Sequence, residues 1–194
     1  FLMARTTLKD GDKIAMLDRS AKMIDDILRI EPKNAKRLTQ LAGLYIRYGD
    51  SVGQVEFRTG LLKKLAYHEK ALSFGEELVA LEPDTPESLK TLMRINQRLG
   101  SDHLWLGENA ELAGDVDGAT QHFAKALPFH EKMFAIATRL AGVSPNEPER
   151  RRNLLASYLS YAGTLNRNDR HGEALVLART ALKLAREAQL ADQG

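Results

Sequence analysis

The feature that most limits what this chain can fold into is that it repeats itself. Ala71-Leu72, Ala126-Leu127 and Ala181-Leu182 recur at two steps of 55 residues, and the small residues Gly53, Gly107 and Ala162 recur at steps of 54 and 55. Seven residues after each small residue stands Gly60, Gly114 or Asp169. The segment Asp25-Asp26-Ile27-Leu28-Arg29-Ile30-Glu31-Pro32 also matches Glu76-Glu77-Leu78-Val79-Ala80-Leu81-Glu82-Pro83 without a gap, so a half unit precedes three full ones. A period of some tens of residues marks units that cannot bury their apolar faces alone and stack to do so.

Within each unit, punctuation separates two helical stretches. Asp84 with Glu87, and Asn146 with Glu149, read as helix N-caps with a reciprocal acid, while Pro86 and Pro148 sit in the first turn, where a missing N–H is harmless. First helices are expected at about 34–58, 85–113 and 147–167, ending at the turn signals Gly60, Gly114 and Asp169. Second helices follow at about 61–81, 116–142 and 170–190, with residues 12–30 as an orphan first one. Pro32, Pro83 and Pro145 stop three of these, and Pro128 predicts a kink or short break inside the second helix of the second full unit, at a cost of about 3 kcal/mol. Short connections make neighbours antiparallel, so the chain reads as a half-repeat over 12–32 and hairpins over 33–83, 84–145 and 146–190 of one array spanning 1–194. Leu61, Leu65, Ala71, Leu72, Leu78 and Val79 form one broad stripe, which needs a neighbouring helix to cover it.

Composition agrees. Leu and Ala far outnumber Ile and Val, an all-α bias, and 43% apolar residues supply an ample core. The absence of cysteine excludes disulfides, thiolate zinc sites and a cysteine nucleophile together. A net charge of +2 gives no field that argues for nucleic acid, and charged residues interrupt every Leu/Ala-rich stretch, so no membrane insertion is expected. A chain starting at Phe1 rather than at methionine reads as an excised or processed fragment.

Chemistry-bearing motifs are few. His68-Glu69 and His130-Glu131 each lack the second histidine four residues on that a zinc-binding helix face needs, and His103, His122 and His171 have no partner at ligand spacing. His68 reads as a packed, hydrogen-bonded core histidine, because it occupies the repeat position of Phe123. No phosphate loop, dinucleotide fingerprint or nucleophile elbow occurs, so no catalytic, metal or cofactor residue is assigned. Arg150-Arg151-Arg152, preceded by Glu147 and Glu149, reads as a solvated helix face, and the lone Trp105 as interhelical packing with a ligand anchor as the alternative.

In the second unit Leu106-Gly107, Gly114, Ala119, Phe123 and Ala126-Leu127 stand at the relative spacing of the Leu-Gly, Gly, Ala, aromatic, Ala signature of tetratricopeptide repeats, which the chain resembles. The third unit keeps Tyr158, Ala162, Ala174 and Ala181 but has Ala178 where the aromatic belongs, and the period is longer than the family's usual one. Through the runs 41–50, 67–72 and 78–83 nearly the whole chain is similar to the long-helix repeat region that follows a membrane-spanning segment in some bacterial receptor-like serine/threonine kinases. Kinase motifs themselves are absent. The resemblance implies a right-handed superhelix of about seven helices, and a soluble regulatory or sensor region on either the cytoplasmic or extracytoplasmic face of a membrane protein.

It also implies a concave groove lined by Arg47, Asp50, Gln54, Phe57 and Arg58 in the first unit. In the second the lining is Ser101, Leu104, Glu108, Glu111 and Leu112, and in the third Ala156, Leu159, Gly163, Asn166 and Arg167. Arg58, Asn166 and Arg167 would hold a peptide carboxylate or backbone, and Phe57, Leu104 and Leu112 would offer apolar pockets. The expected function is a non-catalytic protein–protein interaction module for a protein or peptide partner. The competing expectation is a structural spacer or self-associating scaffold, a homo-oligomer without a peptide ligand.

Overall fold

The computed structural model describes residues 34–55, 59–143 and 147–191, together with 15, 16, 19, 20, 22, 23, 26, 29 and 30. Among them there is no strand, and the chain is all-helical. The scattered described residues within 15–30 are helical, while the rest of the orphan helix expected over 12–30 lies outside the described residues. The chain divides into two compact units, Phe1–Glu82 and Pro83–Gly194, with the boundary at one of the expected proline stops.

In the first unit α1 (Ala35–Val55) packs against α2 (Thr59–Leu81). Asn34 caps α1, its Oδ1 accepting from the Arg37 N–H at 3.1 Å. Leu38, Leu41, Ala42, Tyr45, Tyr48 and Val52 recur at three and four residues and are buried, which is the one-sided stripe a hairpin requires. Tyr48 stacks on Tyr67 with centroids 4.8 Å apart, and Tyr45 on Phe74 at 5.6 Å. Gly60, expected as the turn that ends the first helix, instead lies buried in the first turn of α2; α1 ends at Val55, and residues 56–58 lie outside the described residues.

The second unit holds α3 (Pro86–Leu112), α4 (Val116–Val143), α5 (Pro148–Arg167) and α6 (His171–Ala191). Each packs on the next, and α5 also reaches α3. Leu89 and Met93 of α3 meet Met133, Ala137 and Leu140 of α4 in the core, with Leu154 of α5 packed against them. The cap of α3 is Thr85 rather than Asp84: Pro86, having no N–H to donate, takes the first helical position, and the Thr85 hydroxyl accepts from the Ser88 N–H. Asp84 pairs with Arg139 instead. Glu147 precedes α5 without a side-chain cap bond, and Asn146, the expected cap, lies outside the described residues. No break occurs at Pro128; α4 runs through it, with the proline ring on the exposed face, where water can meet the carbonyl it frees.

The two hairpin turns of this unit end their helices alike. Gly114 and Asp169 adopt φ of 80° and 57°, and the next residue's N–H returns five positions, Asp115 to the Ala110 carbonyl at 2.9 Å and Arg170 to that of Leu165 at 2.9 Å. Asp115 then caps α4 through the Gly118 N–H. These matched turns align α4 with α6 and α3 with α5 residue for residue.

Candidate functional site

Helices in these hairpins approach through glycines that carry a ring from the opposite helix. In α1 and α2, a Cβ on Gly49 would collide with the His68 imidazole; in α3 and α4, one on Gly100 would collide with His130 and one on Gly107 with the Phe123 ring. The small-residue partner of His68 is thus Gly49, not the Gly53 of the 55-residue register. His68 is wholly buried, as expected for a packed core histidine, with Nε2 3.2 Å from the Ile46 carbonyl and 3.7 Å from Asp50 Oδ1. His130 is also buried, its Nδ1 2.6 Å from Thr164 Oγ1 of α5. Burial pushes the His130 pKa down to about 4, against an opposing pull from the Gln97 backbone. Ile46 and Gln97 each lie three residues before the glycine, but His130 Nε2 makes no hydrogen bond among the described residues, so what the two histidines share is the ring packed on a glycine.

His103 of α3 and His122 of α4, unpaired by sequence spacing, are brought together with Nδ1 atoms 3.2 Å apart. His103 is pushed down to about 4, first by burial and then by the charges of His122 and Lys125. His171 meets Asn166, Nδ1 to Oδ1, at 2.9 Å. Sequence spacing could not reveal these pairs, because each crosses a hairpin or its turn. No group of three or more metal-ligating side chains occurs among the described residues.

Of the residues assigned to a groove, Arg47 is exposed on α1 and Asp50 is half-buried beside His68, while the Gln54 side chain, Phe57 and Arg58 lie outside the described residues. In the second unit Glu108, Glu111 and Arg167 come together: the guanidinium bonds Glu108 at 3.0 Å and Glu111 at 3.1 Å and lies 5.1 Å over the Phe123 ring. Arg167 therefore stands already neutralised between two carboxylates. Beside it Asn168 donates to the Phe123 carbonyl at 2.9 Å. Ser101 and Leu104 are half-buried, and Leu112 is exposed at the end of α3. Trp105, expected to pack between helices, is half exposed, because α3 turns Leu99, Gly100, His103 and Gly107 inward instead.

Leu159, Gly163 and Asn166 line an open trough of about 510 Å³ between α5 and α6, completed by Ala162, His171, Ala174, Leu175 and Ala178. One hairpin earlier the same place is filled. There, Phe123 stands where Ala178 does, pressed on Gly107 and covered by Arg167. The trough is the space left by a missing ring, and Leu159 and Leu175 on its rim are more than half exposed. Ala156 is half-buried on the same helix. A second, smaller cleft of about 320 Å³ holds Arg151 and Arg152 beside Leu154, Leu155, Leu184 and Glu187, and Arg150 is held by Glu147 and the Leu140 carbonyl. The arginine run is thus divided among distinct contacts rather than forming one solvated face. No helix among the described residues is long and apolar enough to cross a membrane.

Compared with known proteins, the chain matches no family model and no curated sequence.

Proposed function

We propose that this chain is a non-catalytic protein–protein interaction module of tetratricopeptide-like hairpins, whose right-handed superhelical stacking is part of the proposal, and that it binds a segment of a partner protein. One observation carries the reading: the α5–α6 trough, lined by the groove positions Leu159, Gly163 and Asn166, is open where the preceding hairpin is filled. Concave apolar sites with a few polar groups are where proteins bind ligands, and a rigid helical scaffold holds such a site at low entropic cost. Asn166, with its Oδ1 on His171, supplies the polar handle, and the leucines supply the apolar walls. The regulatory or sensor role in a larger signalling protein belongs to the same proposal.

A photo-crosslinking residue at Leu159, installed in the protein in its source cells, tests this. A distinct partner captured from Leu159 and not from Thr138, on the exposed face of α4, is expected. The exposed Leu175, Val176 and Leu182 of α6 equally suit self-association, and crosslinked dimers of the chain alone would replace this reading with the scaffold.

A further inference from the structure

The second unit displays on one of its helices how the open face of its last helix is to be covered. α5 lies on α4, where Phe123 sits beneath Arg167, His130 meets Thr164, and Phe134 packs edge-on against Tyr158 with centroids 4.7 Å apart. The matched turns place Ala178, Ala185 and Gln189 of α6 at the positions of Phe123, His130 and Phe134. On α6 this face has lost its rings, keeps Leu182 in the place of Leu127, gains Leu175 in the place of Thr120, and is exposed, with Leu175 and Leu182 at 51% and 52%.

The loss is concerted. Phe123 requires Gly107, since a Cβ there would strike the ring, and the last hairpin has exchanged both members, carrying Ala162 and Ala178. The volume is therefore not available to a side chain of α6 itself and stays open from outside. Charge limits the occupant further. Arg179 and Arg186 stand four residues beyond Leu175 and Leu182 on the same exposed face, without an ion pair among the described residues. Where the preceding hairpin offers Glu108 and Glu111, the last offers Gly163 and Asn166, so nothing there calls for a basic partner.

We infer that the outer face of the last hairpin binds an acidic amphipathic helix of a partner protein, laid on α6 as α5 lies on α4, with an aromatic side chain in the trough. The inference rests on the interaction-module reading and narrows it to one mode, helix in groove with an aromatic anchor. The two arginines meet the acidic flank of that helix, and the leucines meet its apolar stripe.

The probe is a phage-displayed library of 20-residue amphipathic helices selected on the whole chain. Selected helices are expected to carry an aromatic residue and net negative charge, and to bind at least tenfold more weakly to the Ala162→Gly/Ala178→Phe variant, which rebuilds the Gly107–Phe123 pair and fills the trough from within. Arg179→Glu/Arg186→Glu, two exposed changes that leave the core intact, is expected to weaken the same helices tenfold or more. Selection of nothing, of helices lacking the aromatic or the acids, or of helices indifferent to both variants would overturn the inference. So would a wild-type dimer in sedimentation that the trough-filled variant abolishes, since the occupant would then be a second copy. A partner crosslinked at Leu159 through an extended segment would end this inference while leaving the interaction module standing.

Discussion

A single methylene decides how closely two of these helices can approach. Gly100 receives the His130 ring at a distance no Cβ would permit, whereas Gly43, inside α1, has nothing within 4 Å of where its Cβ would stand. The same substitution should therefore act with opposite sign at the two sites. Gly100→Ala is expected to cost about 1–3 kcal/mol through displacement of a buried ring, and Gly43→Ala to add about 1 kcal/mol through helix propensity. Urea denaturation monitored by circular dichroism reads both, and two losses of similar size would remove the close-approach account of Gly100. The signal for this device is present in the chain as Arg47-Tyr48-Gly49 and Arg98-Leu99-Gly100, answered by His68-Glu69-Lys70 and His130-Glu131-Lys132. The steps between these are 51 and 62 residues, because each helix of the second hairpin is longer than its counterpart in the first. The fixed period of 55 given by the Ala-Leu pairs falls between them and pairs His68 with the wrong glycine.

The helix bounds of the second unit, by contrast, were legible, because local chemistry sets them, whereas Gly60, expected as a turn in the first, lies inside α2. Pro86 and Pro148 suit a first helical turn and Gly114 and Asp169 a left-handed helix end, and α3 to α6 begin and end within a residue or so of the positions these imply. The candidate site was legible only in part: Leu159, Gly163 and Asn166 do line one trough, but the neutralisation of Arg167 depends on α3 and α5 meeting, which no local pattern encodes. The turns make a direct test of the local part. Asp169 sits in the left-handed region, where Gly114 sits without strain. Asp169→Gly should stabilise the second unit by up to about 1 kcal/mol, and Gly114→Ala should destabilise it by about as much, read as opposite shifts of the thermal midpoint. Arg167→Ala, at the junction of α3 and α5, should cost about 1 kcal/mol at low salt and less at high salt, since its carboxylate partners are half exposed.

At the scale of the whole molecule, the buried histidines make the second unit sensitive to acid. His130 takes a proton near pH 6.5 when the chain is unfolded but only near 4 when it is folded between Gly100 and Thr164. Between those values the unfolded state binds more protons, so stability rises with pH through this window and levels off above it. The gap corresponds to about 3 kcal/mol from His130 alone, a large share of what holds a domain folded. His103, also depressed to about 4, acts in the same direction. A phenylalanine at 130 separates this cause from general acid lability, because Phe123 on Gly107 already shows a nitrogen-free ring filling such a hole. His130→Phe should lose stability at pH 7, where the bond to Thr164 is gone, by about 1 kcal/mol. It should close or reverse that deficit by pH 5, where proton uptake at His130 in the unfolded state has already destabilised the wild type. Parallel stability curves for the two proteins from pH 7 to pH 4.5, in urea titrations at fixed ionic strength, would remove His130 as the source of the acid sensitivity.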